Sequence, residues 1–332
     1  MANGSAAPSG LAFSRDTFAK LTPGPFLQAH LKHNPPIRPN GRTTDEFRRP
    51  VINSGSLTHS NGSAVVRIGD TSIVCGVRGE ILLASDIPHA PNEDADDEDL
   101  VEELGLLVPN LELSTGCSPA HLPGNPPSTL AQSLSYRISS LLHTSGMIDI
   151  HDLRIQYLEP HTDEDLPDEG PRVVTKAYWT LYIDILCIAL DGNAFDAAWA
   201  AVIAALRDTT LPKAWWDPDR EIILCSPRLN DLKRLQMRTF PVAASYVVYS
   251  TASPLKNKEE AEQWVLADPD AFEEDVCTET LTVVVSMGID HQTNLLRLEK
   301  SGGSSINDEQ IIQCAQQAAA RSQDWSGIFG KT

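Results

Sequence analysis

The sequence is short of positive charge. Its 26 lysines and arginines face 45 aspartates and glutamates, a formal net charge of −19. A nucleic-acid binder that relied on its overall field would be basic, so the chain is a poor candidate for strong autonomous RNA binding. Long apolar runs are missing as well: none reaches the roughly 18 residues of a membrane-spanning helix. The opening MANGSAAPSG has neither a basic start nor an apolar core, so no secretory leader is expected. The six cysteines, at 75, 117, 187, 225, 277 and 314, form no CxxC pair. Cys75, Cys187 and Cys277 lie in or beside apolar stretches and read as small buried hydrophobes in a reducing compartment, cytosolic or nuclear. There is no GxGxxG. The run Ser301-Gly302-Gly303-Ser304-Ser305 lacks the order of a phosphate loop and reads as a turn before a helix capped by Asn307 and Gln310. His30 and His33 share a stretch without clustered acids, so no metal and no cofactor are expected.

What is present supports a sizeable core, with 41% hydrophobic and 21% charged residues. The acids are uneven. One run, Glu93 to Glu103, and a second, Asp163 to Glu169, mark insertions at 86–103 and 160–172. Both read as solvated loops, with recognition of a basic partner as the alternative. Residues 1–24 read as a mobile extension. The remainder divides into a first half, 25–210, and a second half, 211–332.

Periodicity predicts the elements. A short helix is expected at 25–33, ended by Pro35 and Pro36. Ser63–Ile68 and Thr71–Val77 flank Gly69-Asp70, a hairpin signal, with Gly62 suited to a close approach. Residues 84–128 read as loop with one apolar island, Leu104–Leu113. Leu130, Leu134, Ile138, Leu141 and Leu142 share one face of a helix at 129–144 capped by Gly146. Ile148–Leu158 and Tyr178–Leu190 read as strands, the second buried on both faces. Asp191-Gly192 then turns into a buried helix at 194–207. Residues 211–228 read as a connector with a short strand, in which Trp215-Trp216 is either packed or a partner anchor. Phe240–Ser250, Thr280–Met287 and Asn294–Leu298 read as strands before a final helix at 307–322. Strands followed by a helix in both halves give an α+β class with a quasi-repeat.

Several short runs, taken in order, resemble the RNase PH family. Arg38-Pro39-Asn40-Gly41-Arg42 is similar to its RPDGR motif. Phe47-Arg48-Arg49-Pro50, Gly55, Asn61-Gly62-Ser63-Ala64 and Gly69-Asp70-Thr71 follow at the family's spacing. Leu107 to Leu111, Asp184 to Cys187, Asp191 to Ala197, Phe240 to Ala243, Asp268-Pro269 and Lys300 to Gly303 resemble the eukaryotic exosome ring subunits of that family. The resemblance spans about residues 25–325. It implies the RNase PH-like, ribosomal protein S5 domain 2-like fold. It also implies a hetero-hexameric ring with other RNase PH-like subunits, S1/KH cap proteins and a separate hydrolytic exoribonuclease. Single-stranded RNA would thread that ring for 3′-to-5′ processing and decay, including rRNA maturation, in nucleus, nucleolus and cytoplasm.

Active members of the family perform phosphorolysis: inorganic phosphate attacks the 3′-terminal phosphodiester. They cradle phosphate on a Gly-Ser/Thr-Arg sequence at the start of the buried helix, where free N–H groups and an arginine meet the anion. Here those positions are Asn193, Ala194 and Phe195, followed by Asp196, whose carboxylate is expected to cap the helix and repel phosphate. Of the family's two acids, Asp268 matches the first, and the second falls at Thr280. The loop 84–128 is acidic where active members carry arginines. A degenerate, non-catalytic site is therefore expected. Arg38, Arg42, Arg48, Arg49, Arg67 and Arg78 form the main basic set, as RNA or ring contacts or as ordinary ion pairs. An active phosphorolytic exoribonuclease and a free-standing binding module of the same fold stay open as alternatives.

Overall fold

The computed structural model describes residues 14–88, 97–119, 121–122, 126, 128–160, 172–251, 261–287, 292–303 and 306–329. Two helices open it, α1 (Arg15–Leu21) and α2 (Pro23–Leu31). Ser14 caps α1, and Pro23 sits in the first turn of α2, where its missing N–H costs nothing. The extension expected to be mobile over 1–24 is thus helical from residue 15; residues 1–13 lie outside the described residues.

The first half is built on one sheet. Its strands are β1 (Pro50–Ser54), β2 (Gly62–Ile68), β3 (Thr71–Leu83), β4 (Leu107–Leu113), β5 (Arg154–Glu159) and β6 (Arg172–Ala189). The order is β1-β2-β3-β6-β4, with β5 also on β6; only β4 runs parallel to its neighbour. The expected hairpin is β2–β3, paired from Ile68↔Thr71 to Gly62↔Val77. Helix α3 (Asp97–Glu103) precedes β4, α4 (Thr129–Thr144) follows it, and α5 (Ile150–Leu153) is a single turn before β5. Helix α6 (Ala194–Asp208) packs on β2 and β3 and also on the second half.

The second half carries two small ribbons and a sheet. The strands β7 (Thr210–Pro212), β8 (Ala214–Asp217), β9 (Ile222–Cys225) and β10 (Leu232–Arg234) pair as β7–β10 and β8–β9. The expected boundary at 210–211 falls inside β7. The sheet joins β11 (Pro241–Ser250), β12 (Gln263–Ala267), β13 (Glu279–Met287) and β14 (Thr293–Ser301) in the antiparallel order β12-β11-β13-β14. A short helix, α7 (Ala271–Val276), links β12 to β13, and α8 (Asp308–Phe329) covers β11 and β13. Strands capped by a helix recur in both halves, the α+β quasi-repeat expected from the pattern.

Three expectations need correcting. Part of the acidic insertion at 86–103 is the helix α3, because Leu100 and Val101 are buried and anchor it to the core. Leu130 is exposed, although Leu134, Ile138, Leu141 and Leu142 on the same helix are buried. Within the expected strand at 148–158, residues 150–153 form α5, capped by Asp149. Most of the second insertion, including Asp163 to Glu169, lies outside the described residues. Cys225 is exposed and the other five cysteines are buried.

The main core spans both halves. Trp199, in the middle of α6, is fully buried, and its Nε1–H donates to the Pro241 carbonyl at 2.9 Å. Gly62 is where β2 passes the end of α6: a Cβ there would overlap the Thr209 backbone and the Ala205 carbonyl. Substituting Gly62→Ala is therefore expected to destabilise the chain by about 1–3 kcal/mol, as overpacking does. Urea unfolding measures this, and an unchanged midpoint would contradict the packing described.

Candidate functional site

The motif resembling RPDGR is a tight loop that delivers arginines across the molecule. Arg38 N–H donates to the Arg42 carbonyl (2.9 Å), and Gly41 takes a φ of +87° that a side chain would strain. Arg38 is buried. Its guanidinium forks onto Glu273 of α7 and donates to the Ala267 carbonyl at 2.7 Å. Arg42 donates to the Asp268 carbonyl at 2.9 Å. Arg48 grips both Asp268 oxygens at 2.9 Å, while its backbone N–H donates to Oδ2 at 2.8 Å. Its remaining N–H groups reach the carbonyls of Asp191 and Pro269.

Asp268 is the hub of this network. It is fully buried, and its backbone is held at φ +50°. Burial alone would raise its pKa, but Arg48, Arg321 and Asn193 overcome this and hold the carboxyl down at about 2. Asn193, also at positive φ (+49°), donates its amide to Asp268 at 2.6 Å.

The start of α6 differs in detail from expectation. Asp196 does not face an incoming anion. It is fully buried and turned toward the second half, accepting from Ser245 Oγ (2.7 Å), the Ser245 backbone N–H (3.1 Å) and Arg321. Arg321 is itself held between the rings of Phe47 (4.4 Å) and Trp325 (4.9 Å). A carboxylate does stand at the helix start, but it is Glu274, which accepts from the Asn193 N–H at 2.7 Å. The Asn193 side chain accepts from the Asp196 N–H.

Beside this lies a cleft of about 330 Å³ whose lining includes Ala194, Phe195, Thr280, Glu274, Arg137 and Glu299. The acids in its lining are Glu274 and Glu299, and Thr280 contributes only a hydroxyl. Burial pushes the Glu274 carboxyl up to about 7, with the charges of Asp268 and Asp275 adding to the effect. Arg137 stacks on Phe195 at 4.0 Å, but its charge is committed to Glu299 (2.9 Å). The cleft therefore offers carboxylates and a neutralised cation, a poor place for phosphate. Among the described residues no cluster of three or more His, Cys, Asp or Glu side chains could hold a metal ion.

The six arginines separate. Arg38, Arg42 and Arg48 are ties within the chain with little or no exposed charge, the ion pairs that the alternative reading named. Arg49 is exposed. Arg67 pairs with Asp70 at the β2–β3 turn, and Arg78 pairs with Glu80 beside the Tyr182 ring. These three remain on the surface, away from the hub. Arg137, Glu273 and Glu274 escaped the sequence reading. Glu274 stands six residues after Asp268, and that proximity to the Asp-Pro motif was the available signal.

Two predictions follow from this geometry. Replacing Arg38 by Ala strips buried Glu273 of its forked partner and leaves it only Arg42 at 3.9 Å, which costs about 3–5 kcal/mol. Arg67→Ala, at an exposed pair, stays within about 0.5 kcal/mol. Denaturant unfolding of both variants checks the contrast, and equal effects would contradict it. The second concerns pH. Between the ordinary carboxyl value of about 4.3 and the folded value near 7, the unfolded chain has released the Glu274 proton while the folded chain keeps it, so this group lowers stability as pH rises. Asp268 has the opposite sign: its contribution is present above about 3.9 and is lost as pH falls toward 2. Glu274→Gln should thus stabilise the chain at about pH 8 and not at about pH 4, read by thermal melts at both values. A gain of equal size at the two would refute the assignment.

Residues 46–212 match domain 1 of the 3′ exoribonuclease family, and residues 245–321 match its domain 2. The chain is 35% identical over 311 residues to exosome complex component rrp43 of Schizosaccharomyces pombe, covering 94% of this chain and 96% of that protein. It is 28% identical over 284 residues to exosome complex component Rrp42 of Methanothermobacter thermautotrophicus, 86% of each. Among solved structures, an Archaeoglobus fulgidus exosome with RNA bound to the active site superposes with a TM-score of 0.64 at 24% identity, over 92% of this chain and 96% of that one. An archaeal exosome core gives 0.62 at 23%, over 95% and 98%. At those identities the two structures speak for the fold alone. The arginine-tied halves, their repeated sheet-and-helix build and the two matched domains agree: the chain belongs to the 3′ exoribonuclease family, with an RNase PH-like fold.

Proposed function

We propose that this chain is a structural, non-catalytic subunit of an RNA exosome ring, where it helps wall the channel that threads single-stranded RNA for 3′-to-5′ processing and decay. The observation that carries this reading is the state of the α6 N-terminus. The family's phosphorolysis needs that helix start open to phosphate, with an arginine beside it. Here the Asn193 N–H is taken by Glu274, the position of the arginine is Phe195, and the guanidinium stacked on that ring, Arg137, is bound to Glu299. An incoming phosphate would meet carboxylates.

The likeness to exosome components over nearly the whole chain supports assembly with other RNase PH-like subunits in a hetero-hexamer. In this reading S1/KH cap proteins sit on the ring, and a hydrolytic exoribonuclease supplies cleavage. Residence in nucleus, nucleolus and cytoplasm follows from the same reading. The chain's own work is geometric: it holds its neighbours and shapes a passage too narrow for duplex RNA.

The purified chain, given single-stranded RNA and inorganic phosphate, should release no nucleoside diphosphate above a no-protein control. Phosphate-dependent release by the pure chain, abolished by Asp268→Asn, would overturn the non-catalytic reading.

A further inference from the structure

A second cleft, of about 310 Å³, shares no lining residue with the first. It lies where α5 and β5 meet the β7–β10 ribbon. Four fixed cations line it, Arg154, Lys213, Lys233 and Arg234, against two acids, Asp152 and Asp231. Lys233 is neutralised by Asp152 at 2.7 Å, and Asp231 accepts from Ser226 Oγ. Arg234 donates its Nε–H to the Arg207 carbonyl (2.9 Å). Among the described residues, neither Lys213 nor Arg234 has an ion-pair partner. In a chain with 45 acids and 26 bases, these two exposed cations in one concavity stand out against the whole molecule's charge.

The surroundings are apolar as well as basic. Leu211 and Leu235 form part of the cleft's lining and are buried. The segment that supplies Asp231, Lys233 and Arg234 also carries Leu229, 81% exposed, and Leu232, 38% exposed. Nearby on β8, Trp215 is 41% exposed, while Trp216 packs under Lys176. Exposed leucines beside cations suit a protein partner, because apolar side chains gain from burial and carboxylates from charge pairing. They suit RNA poorly, because the large aromatic in the cleft, Trp179, is buried and offers no face for base stacking.

We infer that this cleft is a docking site for an acidic peptide segment of a partner protein, its carboxylates on Lys213 and Arg234 and its leucine-type side chains against Leu229 and Leu232. The inference does not depend on whether the chain is catalytic.

The test uses the full chain and a short fluorescein-labelled peptide of repeating Asp-Glu-Leu, followed by anisotropy at low salt. Saturable binding is expected. The double reversal Lys213→Glu with Arg234→Glu should weaken it about tenfold or more, and Leu229→Ser about threefold. The exposed control Lys20→Glu should leave it unchanged. All these side chains are exposed, so the fold should persist, which circular dichroism verifies. Absence of saturable binding would overturn the inference. So would a double reversal no stronger than Lys20→Glu, or equal binding of an Asp-Glu-Ser peptide that oligouridine displaces, since that behaviour is general anion exchange.

Discussion

A single buried carboxylate, that of Asp268, fixes how the two halves of this chain meet. Isolating a carboxylate from water is costly, and only paired charge and hydrogen bonds in good geometry offset it. Asp268 obtains them from the first half: the Arg48 fork, the Arg48 backbone N–H and the Asn193 amide at the start of α6. Glu273, five residues further on, is met by Arg38 in the same manner. Asp196 runs the tie in the opposite direction, from α6 to Arg321 of α8. These pairs are directional, so they set the orientation of one half on the other in a way that apolar packing around Trp199 does not.

The same interactions bear on function. Arginines that a basic motif seemed to offer to RNA are spent inside the protein. The helix start that could cradle phosphate is closed by Asn193 and Glu274. Charge pairs held in this way give rigidity, which suits the structural ring role proposed for the chain. Its acidity fits that proposal, in which other subunits supply the strong attraction for RNA.

Much of the fold was legible because its signals are local. Period-3.6 spacing placed α4, and the apolar run after Asp191-Gly192 placed α6, each to within a residue, while Gly69-Asp70 between two β-prone runs placed the β2–β3 hairpin. Helix α3 was hidden because charges surround the two residues, Leu100 and Val101, that anchor it. The candidate site was legible by resemblance at Asn193, Phe195 and Asp268. Partner identity was not. Arg38 and Glu273 are 235 positions apart, and no local pattern says which acid an arginine will find. For the same reason Asp196 was expected to cap its own helix, when the fold turns it toward Arg321. Glu274 reaches the helix start only because α7 brings it back onto the Asn193 N–H.

Ring membership is the central claim, and native mass spectrometry of the chain purified from its source at gentle salt tests it most directly. The account predicts a complex of several different subunits that includes further RNase PH-like chains. A lone monomer, or a hexamer of this chain alone, would contradict it.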